Sequence, residues 1–212
     1  MGDIGVPFSH TGVQLLVNFE GNSNDASPNG FTGTDTNVTY ARSNGKFLQG
    51  ARFVQGDSSK VNYGTHTELV FDADFTINVW VYPESGQPDP YARVYDGGYY
   101  LVIVTDGGAN NNGWVFELTQ TIGLANTVDF GTWQMITASR IGSTLYLYKN
   151  GILFAQGTFS GTKGSGNFYL CSQSGTGRYA TLRQDALYVL KGRGWTAQEV
   201  RQWYAWTKGL LV

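Results

Sequence analysis

The stretch from Trp133 to Gly157, WQMITASRIGSTLYLYKNGILFAQG, limits the possible folds more than any other part of this chain. Lys149-Asn150-Gly151 lies between Leu145-Tyr146-Leu147-Tyr148 and Ile152-Leu153-Phe154-Ala155. Asn-Gly supplies the two positive-φ residues that a type I′ hairpin turn needs, and both flanking runs suit a pleated surface. A second turn, at Arg140-Ile141-Gly142-Ser143, separates this hairpin from Met135-Ile136-Thr137-Ala138. Three consecutive antiparallel strands are the expected result, and a chain organised around such a meander is expected to be built from sheet.

The composition agrees. With 29 Gly, 12 Phe, 13 Tyr and 6 Trp but only two Met among 212 residues, the chain suits many short strands joined by tight turns. The length fits one large domain, able to bury about 70% of its unfolded surface. The formal charge is −2 and the 14 Lys and Arg are scattered, so no basic stripe is available to neutralise a phosphate backbone and nucleic acid is not an expected partner. Cys171 is the single cysteine; it cannot pair internally and reads as a buried thiol. No apolar run reaches the roughly 18 residues needed to span a bilayer. The start, MGDIGVPFSH, lacks the basic and apolar regions of a signal peptide, so the chain as given is expected to be soluble and unprocessed, without membrane insertion.

Residues 1–11 show no periodicity and read as an N-terminal arm, with one domain expected over 12–212. A strand is expected at 13–19, followed by a turn-rich loop from Glu20 to Gly30. Short strands follow at 37–42, 51–54 and 60–63. The run from Phe75 to Tyr82 places Phe75, Ile77, Val79 and Val81 on one face and Trp80 and Tyr82 on the other, and it stops at Pro83. Both faces are apolar, so this strand should be central in a sheet covered on two sides. Further strands are expected at 99–105, 114–120, 168–172 and 185–190. Thr196-Ala197-Gln198-Glu199 has the spacing of a capping box and predicts a short helix to about Trp206. About a dozen strands without a repeat of 20–50 residues predict an all-β fold of two packed antiparallel sheets with one short C-terminal helix.

Several pieces, taken in order, resemble a known family. They are Leu15-Leu16-Val17-Asn18-Phe19-Glu20-Gly21, Asp25-Ala26-Ser27-Pro28-Asn29-Gly30, Phe75 to Pro83, and Trp133 with the hairpin at Tyr146 to Gly151. This order is similar to that of the laminin-G-like, concanavalin A-like jelly rolls, over a span from about Leu15 to Tyr204. Asp185-Ala186-Leu187-Tyr188-Val189-Leu190-Lys191-Gly192, with Trp195-Thr196 after it, resembles the ending of the phage-encoded branch. It departs from that branch at Ala186, where a second acid is usual, and at Trp195. The resemblance implies a jelly-roll sandwich that serves as a carbohydrate-binding or adhesion module. For the phage branch it implies a non-enzymatic virion surface protein, decorating a capsid or forming part of a tail or attachment fibre. Its partners would be capsid or tail proteins and host cell-surface glycans, and it would associate as a homo-oligomer. The alternative is a carbohydrate-binding module of a secreted bacterial protein.

Sugar binding calls for rings that stack on sugar faces, with amides or carboxylates that bond hydroxyls. Tyr91, Tyr95 and Asp96, with Asn110, Asn111 and Asn112, lie in or beside the two longest mid-chain loops and are the candidates; Tyr and Asn are equally ordinary in loops and edges. Calcium needs six to eight oxygen ligands. Asn24, Asp25 and Gly30 offer such atoms, and the resemblance implies that an acid matching Asp185 closes the site. The competing reading is that Asp25 caps an Asx-turn and Asp185 satisfies backbone donors of the same loop. The glucanases of this fold carry E-x-D-x-x-E, whose paired carboxylates perform retaining hydrolysis. That string does not occur here, Asp72-Ala73-Asp74 being the nearest pairing, and no enzymatic activity is expected. Trp80, Trp114 and Trp133 fall on strand patterns and read as core.

Overall fold

A computed structural model describes residues 11–117, 120–159 and 167–209. Fifteen strands, one α-helix and three single-turn 3-10 helices appear among them. The first five strands are β1 (Val13–Val17), β2 (Thr34–Thr36), β3 (Thr39–Ala41), β4 (Gly50–Phe53) and β5 (Lys60–Asn62). Next come β6 (Phe75–Pro83), β7 (Tyr91–Asp96), β8 (Tyr100–Val104), β9 (Gly113–Glu117) and β10 (Thr121–Leu124). The chain continues through β11 (Gln134–Ile141), β12 (Thr144–Lys149), β13 (Ile152–Thr158), β14 (Tyr169–Leu170) and β15 (Leu182–Lys191), and ends in α1 (Ala197–Gly209). The first sheet has the order β13-β12-β11-β6-β15-β4-β3, with β1 also on β15, and the second has β10-β9-β8-β7-β14-β5-β2.

The predicted meander is present. Asn150 and Gly151 take φ of 52° and 82° between β12 and β13, and β11, β12 and β13 are consecutive neighbours in the first sheet. β6 lies between β11 and β15. Its Phe75, Ile77, Val79 and Val81 enter the space between the sheets, where they meet Leu15, Phe53, Trp114, Phe116 and Phe168. Trp80 points the other way, into a second cluster with Met135, Tyr188, Trp195 and Trp203. That cluster is the underside of α1. The helix is capped as its spacing predicts: the Thr196 peptide N–H donates to the Glu199 carboxylate at 2.8 Å, and the Glu199 N–H donates to Thr196 Oγ1 at 3.3 Å. Trp203 Nε1 donates to Asn78 Oδ1 at 3.2 Å and ties the helix to β6.

Some expectations change. β2, β7 and β10 were not expected, and the strand at 168–172 shortens to β14 because Cys171 turns the backbone into the left-handed region, with φ 57°. Trp80 and Trp114 are buried. Trp133 is half-buried just before β11, edge-on to Tyr82 at 5.8 Å between ring centres. Residues 1–10 of the expected arm lie outside the described residues.

Candidate functional site

Strand alternation sets what the second sheet shows to the outside. Ala92, Val94, Leu101, Ile103, Trp114 and Phe116 face the core, while Tyr91, Tyr100, Val102, Val104 and Val115 form a separate cluster on the outer face. One irregularity reverses two side chains. β7 is bulged between Arg93, opposite Val102, and Tyr95, opposite Leu101, so Val94 and Tyr95 both point inward and Asp96 comes out opposite Tyr100. Tyr95 is therefore buried among Tyr99, Phe116 and Phe168. Its ring cannot stack on a ligand, which corrects the expectation placed on it.

Beside the outward Asp96 lies a depression of about 370 Å³. Asp96 and Gly98 line it, Tyr100 and Tyr169 contribute rings, and Asn167, Gln173 and Ser174 complete the described lining. Asp96 is 4% exposed. Its Oδ1 accepts from the Gly98 N–H at 3.0 Å, whereas Oδ2 is buried and accepts nothing. Burial pushes this carboxyl above the ordinary range, against the pull of the Gly98 N–H, the Arg93 charge and the Ser174 N–H. The Arg93 guanidinium lies 3.9 Å from the centre of the Tyr100 ring, with Nη1 3.4 Å from the Glu117 carboxylate. Its Nε is also buried without a partner. Behind the strand, Gln184 Nε2 donates to the Val94 carbonyl at 2.8 Å while Oε1 is unpartnered. Of the five buried side-chain atoms lacking partners among the described residues, three thus flank β7. Native structures tolerate few such atoms, and each calls for a reason.

The segment crossing above the depression is strained. Cys171, Ser174 and Arg178 have φ of 57°, 48° and 53°, three of the ten positive-φ non-glycine residues found among those described. Such residues persist only where neighbours hold them, and they gather at ligand sites. Here the Arg93 N–H donates to the Arg178 carbonyl at 2.8 Å, and the Gln173 N–H to the Gly177 carbonyl at 2.6 Å. The Arg178 guanidinium sits 4.7 Å from the Tyr91 ring centre and pairs with Asp89 at 3.2 Å.

The nominated sugar-binding residues fall in two places. Tyr91 is half-exposed and donates its hydroxyl to Asp106 at 2.7 Å. It stands at the far end of β7, roughly 16 Å of extended strand from Asp96 at about 3.3 Å per residue. Asn110, Asn111 and Asn112 belong to the loop near Tyr91. Asn111 Oδ1 accepts from the Gly107 N–H at 3.0 Å, and the Asn111 and Asn112 carbonyls accept from Asn126 and Val128 at 3.0 and 2.9 Å. These contacts shape the loop rather than reach the depression. The sequence reading missed Arg93, Gly98, Tyr100, Asn167, Tyr169, Gln173 and Ser174. Tyr100 could have been found by extending the outward alternation of β8, but nothing local marks the others.

The nominated calcium ligands do not fit a metal. Both Asp25 oxygens are already engaged, Oδ1 by the Leu16 and Ser27 N–H groups and Oδ2 by the Ser27 hydroxyl and the Phe31 N–H, at 2.7 to 3.1 Å. This is the Asx-turn arrangement. Asn24 and Gly30 are exposed on the same loop. Asp185 serves a different segment, accepting from the Lys46 and Phe47 N–H groups at 2.8 and 3.0 Å. Among the described residues no three His, Cys, Asp or Glu side chains gather in one place. No described helix is long and apolar enough to cross a membrane.

Comparison with known proteins follows this geometry. In fold, the chain is similar to domain 4 of AbnA, a GH43 extracellular arabinanase from Geobacillus stearothermophilus, solved in complex with arabinotriose. The TM-score is 0.70 at 18% identity, over 91% of this chain and 98% of that one. It is similar to the binding domain of Paraclostridial Mosquitocidal Protein 1, with TM-score 0.72 and 15% identity, over 91% of this chain and 52% of that one. For the botulinum neurotoxin serotype G binding domain the values are 0.71 and 18%, over 92% and 51%. The chain thus spans about half the length of each toxin binding domain. At these identities the likeness is one of fold. No curated protein matches the sequence. Residues 55–200 match the Laminin_G_3 family, and the chain belongs to the concanavalin A-like lectin/glucanases superfamily.

Proposed function

We propose that this chain is a non-enzymatic, lectin-like module that binds glycans on the outer face of its second sheet. One observation carries the reading. α1 covers the outer face of the first sheet, while the second sheet presents a depression lined by Tyr100 and Tyr169 and by a buried, half-satisfied carboxylate. Rings beside a few convergent polar groups suit a sugar, which has apolar faces and a hydroxyl edge. Likeness to an arabinanase domain solved with arabinotriose supports the same reading. The test is a broad glycan array followed by calorimetric titration of the best binder. Millimolar to micromolar affinity is expected, and Tyr100→Ala should weaken it about tenfold, equivalent to about 1.4 kcal/mol. A blank array, or binding indifferent to Tyr100, would sink the proposal.

Two settings suit such a module. The ending from Asp185 to Gly192, with Trp195-Thr196, favours the surface of a virus particle, as a homo-oligomeric capsid decoration or tail-fibre component that meets host glycans. The alternative is a secreted bacterial protein, a setting shared by the extracellular arabinanase. Mass spectrometry of purified particles decides between them: the virion reading requires peptides of this chain there.

A further inference from the structure

We propose that the depression beside Asp96 selects neutral sugars, taking a ring hydroxyl as donor to Asp96 Oδ2 and rejecting acidic sugars. This rests on the glycan-binding reading and names the ligand class of that same site. Among the described residues the lining holds one carboxylate, two phenols, two amides and a serine hydroxyl, and no Lys, Arg or His. The nearby cations are engaged elsewhere, Arg93 with Tyr100 and Glu117, and Arg178 with Tyr91 and Asp89. A uronate or sialate carboxylate would thus approach Asp96 in a partly desolvated place where like charges repel strongly, with Arg93, already paired with Glu117, as the one cation acting on that carboxyl among the described residues. A neutral sugar meets the opposite situation. Its hydroxyls can donate to a carboxylate and exchange hydrogen bonds in both directions with Asn167, Gln173 and Ser174.

Asp96 is the discriminating group. Because Oδ2 is buried without a hydrogen-bond partner among the described residues, a hydroxyl that reaches it makes a charge-assisted hydrogen bond that the described residues do not supply. Reaching it displaces the rim at Gln173 and Ser174. Ser174 sits in the left-handed region at φ 48°, so movement there can relieve strain instead of adding it. At about 370 Å³ the space is near the lower end of the range of about 300–1,000 Å³ for ligand sites, enough to seat part of an oligosaccharide while the rest lies on the open face.

The experiment titrates the full chain with arabinotriose, cellotriose, β-1,4-galactotriose and trigalacturonate. At least one neutral trisaccharide should bind, with trigalacturonate at least tenfold weaker. Asp96→Asn keeps the side-chain size and should weaken the neutral ligand about tenfold while narrowing the gap to trigalacturonate. Gln173→Ala, at the rim and remote from the core, should weaken it about threefold whether or not the Asp96 variant folds. Trigalacturonate binding as tightly as the neutral sugars, or neutral binding unchanged in both variants, overturns the inference. If that surviving binding is lost in Tyr91→Ala, the module reading stands and only this site falls. Silence from all four sugars overturns the inference, and the glycan array then decides whether the module reading falls with it.

Discussion

On the outer face of the first sheet, Trp80, Tyr188, Trp195 and Trp203 pack beneath α1, and Asn78 is fully buried there with its side chain bonded to Thr137 at 2.6 Å and to Trp203 at 3.2 Å. On the outer face of the second sheet, Tyr100 and Tyr169 are half-exposed, and Arg93 and Asp96 are buried with one atom each unsatisfied. Both faces are rich in aromatic rings, so ring content does not separate them. What separates them is whether the polar groups among the rings have found partners within the chain. Trp80 Nε1 is the exception on the covered side, and its ring is instead flanked by Tyr204 and by Lys46 Nζ, 4.9 Å from the ring centre. A paired polar group fixes packing, whereas an unpaired one beside an open depression leaves a bond for something else to make.

The strongest way to break this contrast is to unseat the helix. Trp203→Ala removes a side chain that is 7% exposed and packed on Tyr188, Trp195 and Trp206, and it leaves Asn78 Oδ1 without its donor. A cost of about 3–5 kcal/mol is expected in denaturant unfolding. Glycan affinity, measured where the variant is still folded, should not change. If it drops in step with stability, the two faces are not independent.

Asp185 and Asp96 sharpen the comparison, being two buried carboxylates with different company. Burial pushes the Asp185 carboxyl up to about 7, outweighing the Phe47, Lys46 and Ala186 N–H groups that oppose the shift, and Glu20 raises it further. Lys46, the cation beside it, is itself lowered by burial. A folded-state value above the unfolded one means that the native state binds the proton more tightly. The resulting stability is fully present below about pH 4, decreases as pH rises, and is gone above about pH 7. Asp185→Asn removes that slope. Wild type should lose on the order of 2–4 kcal/mol relative to the variant between pH 4 and 7, taking about 1.4 kcal/mol per pKa unit and discounting for relaxation. Parallel stability curves for the two proteins would refute the assignment.

How much could be foreseen from the sequence follows the range of the interactions involved. The Asn150-Gly151 turn, the two-faced β6 and the Thr196-to-Glu199 cap are each specified within a few neighbouring residues, and all three are present. The site is different. Strict alternation along Tyr91-Ala92-Arg93-Val94-Tyr95-Asp96 puts Tyr95 outside and Asp96 inside, and the bulge after Arg93 exchanges them. Nothing in six residues announces a bulge, which depends on what the partner strand presents. Asn167, Gln173 and Ser174 reach Asp96 only because β14 pairs with β7, with Tyr169 opposite Asp96. The same limit explains Asp185: its register on β6 slips between Asp185 and Tyr188, with Ala186 at φ 49°, and this aims the carboxylate at residues 46 and 47 instead of the loop around Asp25.

The smallest effect tests whether packing or capping holds the cover in place. Thr196 Oγ1 accepts the Glu199 N–H, while the Glu199 carboxylate accepts the Thr196 N–H and pairs with Arg193. Thr196→Ala removes one half of this reciprocal arrangement at an exposed helix start. It should cost about 1 kcal/mol, or about 2–4 °C in melting temperature for a domain of this size. Glu199→Gln keeps an acceptor for the Thr196 N–H and should cost less. Neither change should alter glycan affinity, because the cap lies on the covered face and the candidate site on the other. A loss from Thr196→Ala as large as that from Trp203→Ala would mean that the first turn, and not the tryptophan cluster, keeps the first sheet covered, and the contrast between the two faces would then rest on local helix stability instead of on side-chain packing.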